Sequence, residues 1–330
     1  EVTAEINELC EEVSQEMDEA LDYLSAGDEP DGSCCCIYKG RSSHCTTFNH
    51  SNPHVPKYSI HDISRIGASK KKLAELVDMN VFHLHEVPED MELSAVQRNQ
   101  VNAYIKDEIL MNKGAIAEEL ENLVYPLYFI DYETFPSAIP MFDGFSPYQQ
   151  IPFQYSLYVL ESPIRQAQGK QSGELRQYEF LHDKNSDPSR AFAESMRENI
   201  GGKGTVIVWS KKFECSRNSE IAERLPEFKG FYDDINARTY DLMDIFAKQH
   251  YVHKDFKGSA SIKKVLPVLA PELSYKNLVI QEGGTASSSW LKLIDDDLSA
   301  AEKSKLKKDM LEYSKLDAFA MVRILQELGK

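Results

Sequence analysis

Asp131 and Glu133 stand two residues apart at the end of an apolar run, Leu127-Tyr128-Phe129-Ile130. Aromatic and β-branched residues in such a run read as a buried strand. Residues i and i+2 of a strand point to one face, so both carboxylates leave it together, beside apolar neighbours. Acids held that way need a cation between them. A divalent metal, with its preference for oxygen ligands, meets that need. The plainer reading is a strand that ends in two solvated acids.

A third carboxylate, Glu214, closes Ser210-Lys211-Lys212-Phe213-Glu214. That stretch follows 204–209, an apolar strand of the kind found in parallel sheets, and open α/β sheets bind ligands just past such strand ends. Tyr313 and Asp317 are four apart in a helical stretch and share a face. Asp241 and Asp244 form a further acidic pair, in which Asp241 is an alternative to Glu214. Lys263 and Lys264 follow Gly258-Ser259-Ala260-Ser261, where Ser259 or Ser261 can cap a helix. Backbone donors at that helix start, with the two lysines, suit a substrate phosphate. Each feature also has an ordinary explanation: Glu214 and Asp241 at helix N-termini, Tyr313 in the core, Lys263 and Lys264 in an ordinary capped helix.

The elements that must position these residues come next. Apolar spacing predicts an amphipathic helix over residues 1–25, two short helices around Gly67-Ala68-Ser69 with Lys70, Lys71 and Lys72 at the turn, and a long helix from 95 to about 123. That basic turn could hold a phosphate backbone, but a lysine run is more often a solvated face, which is the favoured reading. Strands are expected over 127–135, 153–160 and 178–181, the last two joined by a polar turn over 166–173, giving an antiparallel three-stranded unit. Helices are expected over 189–200, 219–225, 241–249, 261–269 and 309–328. Strands followed by βα alternation indicate an α/β fold with one mixed sheet. The expected domains are 1–123, a helical region with a Cys-rich segment at about 26–57, and 124–330, which carries the acids.

The chain of 330 residues has a formal net charge of −16. That argues against a protein that coats nucleic acid non-specifically, but not against a nuclease whose acids hold metals. No run reaches the length of a membrane span and no signal peptide heads the chain, so the expectation is a cytoplasmic protein with no membrane contact. The start lacks a cap or start signal, and we expect the chain to be the back part of a longer protein.

Cys34, Cys35, Cys36 and Cys45 are clustered, with His44, His50 and His54 nearby, while Cys10 and Cys215 stand apart. In a cytosolic chain such clustering suggests metal more than disulfide. Thiolates select zinc or an iron–sulfur cluster. Cys36 and Cys45, then Cys34, are the expected ligands. The fourth is Cys10, Cys35, a histidine or a residue outside this chain. With few large apolar residues, the segment is expected to depend on its metal for order.

In order and spacing, the acids and Tyr313 resemble the DEDDy-type 3′–5′ exonucleases of the ribonuclease H-like superfamily. Asp131-Tyr132-Glu133 matches the Asp-x-Glu motif. Ser210-Lys211-Lys212-Phe213-Glu214 resembles Asn-x-x-Phe-Asp, with Ser210 for Asn and Glu214 for Asp. Tyr313 through Asp317 matches Tyr-x-x-x-Asp. The resemblance covers about 124–330. The wider pattern, at 40–45, 129–135, 147–157, 258–267 and 312–321, is similar to an uncharacterised family domain that often follows a helicase-associated PD-(D/E)XK nuclease domain. Cysteines after that nuclease domain help bind an iron–sulfur cluster in the related nucleases, with one ligand far upstream. No PD-(D/E)XK motif precedes the cysteines here.

The resemblance implies a ribonuclease H-like mixed sheet flanked by helices. It also implies a 3′–5′ exonuclease using two Mg²⁺ or Mn²⁺ ions on single-stranded DNA or RNA with a free 3′ end. Asp131 would bridge the ions, Glu133, Glu214 and Asp317 would complete the site, and Tyr313 would orient the attacking water. Ser210, Phe213, Lys263 and Lys264 would contact substrate. An upstream nuclease domain is the implied partner. The alternative is a weak or inactive nuclease-like domain that binds nucleic-acid ends or partner proteins. A third reading, an endonuclease or polynucleotidyl transferase, fits Tyr313 less well.

Overall fold

The structure is a computed structural model that describes residues 2–27, 34–163, 165–167, 170–172, 174–295 and 297–330. The chain divides into two compact units, one up to Glu92 and one from Leu93 onward. This division falls well ahead of the boundary expected near 123. No helix among the described residues is long and apolar enough to cross a membrane.

The first unit contains helices α1 (Val2–Ala26), α2 (Phe48–Ser51) and α3 (Lys70–Asp78), joined by short 3₁₀ turns. The expected amphipathic helix is present as α1, with Ile6, Leu9, Val13, Met17, Leu21 and Leu24 all exposed. The two helices expected around Gly67-Ala68-Ser69 differ: the first is a pair of 3₁₀ turns, Ile60–Asp62 and Ile66–Ala68, and only the second is α-helical. Arg65, in the left-handed region at φ 54°, separates the two turns.

In the Cys-rich segment, residues 28–33 lie outside the described residues, but 34–57 are well tied. Ile37 and Phe48 are buried, as are Ile60, Ile66, Leu73, Leu76 and Leu84 from the following stretch, and the turn Cys35–Tyr38 packs on α3. Arg41 donates to both Asp62 oxygens at 2.9 and 2.6 Å and to the Lys57 carbonyl at 2.9 Å. His61 Nε2 lies 2.7 Å from the Ile37 carbonyl oxygen. A side chain on Gly40 would meet the Gly67 backbone at 3.2 Å, so the two strips touch backbone to backbone. Residues 58–91 thus supply apolar and polar partners that 34–57 lacks by itself, beside the cluster of cysteines.

The second unit begins with α4 (Ala95–Lys106), β1 (Leu110–Met111) and α5 (Lys113–Glu121). The single helix expected from 95 to about 123 is therefore two. Asp107 leaves the helical region at φ 53°, β1 pairs antiparallel with β9 (Tyr251–Val252), and the Asn112 side chain caps α5. The strands β2 (Leu127–Pro136), β3 (Gln150–Leu160) and β6 (Leu175–Leu181) form the expected antiparallel set. The expected polar turn contains β4 (Arg165–Ala167) and β5 (Lys170–Ser172), paired antiparallel; residues 168–169 and Gly173 lie outside the described residues.

After α6 (Ser189–Asn199) come β7 (Thr205–Val208), α7 (Lys211–Arg224), α8 (Lys229–Ala237), β8 (Thr239–Asp241) and α9 (Asp244–Ala247). Helices α10 (Ile262–Leu269), α11 (Gly283–Ile294) and α12 (Ala300–Leu328) close the unit. Among the described residues the main sheet has five strands in the order β6-β3-β2-β7-β8. β7 lies parallel to β2 and to β8, and β3 antiparallel to β2, so the sheet is mixed. The α/β class expected from the sequence, helices flanking a mixed sheet after a smaller Cys-containing helical region, is what the chain adopts.

Alternation along β2 splits the core in two. Leu127 and Phe129 join the cluster built with Leu266, Trp290, Met321 and Ile324 of α10, α11 and α12. Tyr128, Ile130 and Tyr132 join the one built with Phe192, Ile221 and Tyr232 of α6, α7 and α8. Asp131 and Glu133 share the parity of the first set and so face the α10–α12 layer. The pairing register shifts just after Glu133, which lies opposite Gln154 while Thr134 lies opposite Pro152. Such a bulge re-aims nearby side chains, and it accommodates a proline that has no ladder donor.

Candidate active site

The sheet delivers Asp131 and Glu133, and α12 delivers Asp317. One oxygen from each of these three carboxylates lies within 4.8 Å of the others. Glu133 and Asp317 are each 6% exposed, while Asp131 keeps some open surface though protein crowds it closely. Three such charges repel one another by roughly 3 kcal/mol per pair at an effective dielectric of ~20. Burial, then the neighbouring acids, pushes the Asp131 and Glu133 carboxyls well above the usual range. The Lys263 ammonium opposes the shift at Asp131, Glu133 and Asp317.

Glu214 approaches from the opposite layer. Ser210 occupies the N-cap position of α7 without a side-chain capping bond, and Glu214 lies in the first turn, 4% exposed. One of its oxygens, Oε2, has no hydrogen-bond partner. Burial, then the charges of Asp131 and Glu133, raises its carboxyl as well, against a backbone hydrogen bond from Tyr132. Glu214 thus stands beside the set of three rather than within it. Asp241 is engaged elsewhere: its oxygens accept the Lys211 and Met243 amides at 2.8 and 3.1 Å.

Tyr313, one helical turn before Asp317, is buried at 3% exposure. Lys263 Nζ lies 3.5 Å from its hydroxyl and donates to the Gln281 carbonyl at 2.8 Å. Lys263 is therefore tethered beside the acids. Lys264, the next residue of α10, is exposed. Ser261 caps α10 through its carbonyl alone, with no side-chain bond. Tyr275 is a residue that no sequence pattern singled out. Its hydroxyl donates to Asp317 Oδ1 at 2.5 Å. It lies in the short 3₁₀ turn Tyr275–Asn277, where no periodicity marks a partner. Beside Glu133 opens a depression of about 340 Å³, lined by Phe213, Thr134, Gln150, Gly283 and Ser287 among others. Phe213 thus lines this depression from α7, while Gly283 borders Glu133 at the start of α11.

The donor set fits a hard divalent cation: oxygen ligands, excess negative charge and a buried carboxylate oxygen without a partner. In the first unit, the sulfurs of Cys34, Cys36 and Cys45 lie within 4.8 Å of one another, a donor set for a soft metal. Cys34 and Cys45 are 3.4 Å apart, sulfur to sulfur. Cys10 and Cys35 are exposed. The hydroxyl of Thr47, then the thiol of Cys34, draws the Cys45 thiol down to about 7.

Residues 128–261 match a family described as "Domain of unknown function (DUF2779)", so that domain is present in the chain. The chain is 27% identical over 208 residues to a Mycoplasma genitalium protein described as "Uncharacterized protein MG366", covering 60% of this chain and 31% of that protein. It is 24% identical over 275 residues to "Uncharacterized protein UU173" of Ureaplasma parvum, covering 77% of this chain and 39% of that protein. The Mycoplasma pneumoniae homolog of MG366 matches at 24% over 210 residues, 59% of this chain and 31% of that protein. The chain spans about a third of the length of these curated relatives. No solved structure matches it.

Proposed function

We propose that the second unit is a metal-dependent 3′–5′ exonuclease of the DEDDy kind, acting on single-stranded DNA or RNA. The observation that carries this reading is the gathering of Asp131, Glu133 and Asp317 within 4.8 Å, from elements far apart in the chain. Tyr313 on the same helix as Asp317 and Glu214 at the adjoining strand end support it, as does the sheet, whose strand order and one antiparallel inner strand suit a ribonuclease H-like domain.

The three acids would hold Mg²⁺ or Mn²⁺, with Glu214 completing the set from the other layer. Divalent ions bound there would activate the attacking water and stabilise the leaving oxygen. Tyr313 would orient that water through its hydroxyl. Burial, then the charge of Asp317, pushes its phenol far above the ordinary value, so at neutral pH it positions and does not take the proton. Phe213, at the wall of the depression, would contact the terminal nucleotide, and Lys263 would offset the charge of the acids. Ser210 and Lys264 keep their place as substrate contacts in this proposal only. The Cys34, Cys36 and Cys45 set would bind zinc or an iron–sulfur cluster. A nuclease domain lying upstream in a longer protein is the proposed partner.

One observation favours a second reading. Glu214 stands beside the three acids and replaces the shorter Asp, which suits a domain that binds nucleic-acid ends with weak catalysis. Incubating 5′-labelled single-stranded DNA and RNA with Mg²⁺ or Mn²⁺ separates the two. A ladder shortening from the 3′ end is the expected result. Binding without cleavage would favour the second reading, and a single internal cut would replace both with an endonuclease.

A further inference from the structure

We propose that Tyr275 is the positioning residue of Asp317, holding one carboxylate oxygen so that the other is presented to the bound cation. This rests on the metal-centre reading above. The bond from the Tyr275 hydroxyl to Asp317 Oδ1 is 2.5 Å, a length typical of a hydroxyl donating to a charged oxygen.

The placement matters more than the bond itself. Tyr313 sits four residues before Asp317 on α12 and moves with it. Tyr275 belongs to a separate turn, so its donor fixes the carboxylate against the rest of the unit. Asp317 lies on a helix, and its carboxylate plane turns about a broad, soft torsion. A donor locked on one oxygen removes that freedom. Tyr275 is itself locked: it is 9% exposed, its ring lies 6.2 Å from that of Tyr313, and Lys263 Nζ stands 5.6 Å from its ring centre. Groups that orient a metal ligand in this way typically account for 10–100-fold in metal affinity.

The test is Mn²⁺ binding, followed by electron paramagnetic resonance, in the wild-type protein and in Tyr275→Phe. Thermal unfolding without metal is measured alongside. Phe keeps the ring and removes only the donor. The expected result is Mn²⁺ affinity weakened about tenfold or more, whatever the change in Tm. Tyr275→Leu, which fills part of the same apolar space and has no donor, is the second variant should Phe prevent folding, and is also expected to bind Mn²⁺ more weakly than wild type. A lower Tm with unchanged Mn²⁺ affinity would make Tyr275 an ordinary core residue and overturn the inference alone. A wild-type protein that takes up no Mn²⁺ would overturn the metal centre itself, and the inference with it.

Discussion

The hydroxyl of Tyr132 donates to Asn218 Oδ1 at 3.0 Å, tying the back of β2 to α7 one turn beyond Glu214. Tyr132 lies between the two acids of β2, so this bond couples the strand carrying Asp131 and Glu133 to the helix carrying the fourth carboxylate. Tyr132→Phe leaves the Asn218 oxygen short of a donor in the core, which costs about 1–3 kcal/mol. Chemical unfolding should show that loss. Turnover should fall by severalfold through misplacement of Glu214; unchanged turnover would mean that Glu214 does not need this anchor.

Asp131→Asn removes one of three mutually repelling charges without changing the size of the side chain. Nearly all activity should disappear. The metal-free variant should nevertheless melt at or above the wild-type temperature, because the wild type accepts repulsion for the sake of its site. Differential scanning fluorimetry with and without Mn²⁺ checks both points, and undiminished hydrolysis by Asp131→Asn would reject the mechanism.

The pH dependence follows from the direction of the shifts. Asp131, Glu133 and Glu214 have carboxyls raised in the folded state. For an acid raised above its unfolded value, stability is fully present below the unfolded pKa, near ~4, and is lost as pH rises through the folded value. The metal-free protein should therefore lose stability from these groups as pH climbs above ~4. Mg²⁺ should restore more of it at pH 8 than at pH 5.5. Melting curves in chelator and in Mg²⁺ across that range decide the matter: an increment that shrinks with rising pH would contradict it.

Tyr313→Phe keeps the ring that packs in the α12 face of the core and deletes one hydroxyl. Turnover should drop by about 10²-fold, with KM and Tm little changed, since a positioning group acts mainly in the transition state. Parallel losses in KM and turnover would mark Tyr313 as a substrate contact instead.

The cysteine set calls for metal analysis of protein purified without oxygen. Zinc or iron should be present, and Cys45→Ser should remove it. Because Ile37, Phe48, Arg41 and His61 already bind the segment to its neighbours, this variant should lower the stability of the first unit without unfolding it. Carboxylate-site activity should persist. Neither zinc nor iron in the wild-type protein would leave a plain thiol pocket.

Much of the second unit was legible in the sequence because its signals are local. The β-branched and aromatic runs at 127–135 and 204–209 read as buried strands, and they appear as Leu127–Pro136 and Thr205–Val208. The i, i+2 geometry of Asp131 and Glu133 and the i, i+4 geometry of Tyr313 and Asp317 follow from backbone periodicity alone. Helix α11 was not legible. Its Gly-Gly-Thr-Ala-Ser-Ser-Ser start has weak helix propensity, and burial of Ala286, Trp290, Leu293 and Ile294 overrides it. The breaks at Asp107 and Asn112 depend on β1 finding β9, more than a hundred residues away. Tertiary structure alone decided that Asp317 meets Asp131 and Glu133, that Glu214 enters from the opposite layer, and that Tyr275 holds Asp317. Sequence periodicity assigns a side chain to a face of its own element; which faces meet depends on how the elements pack.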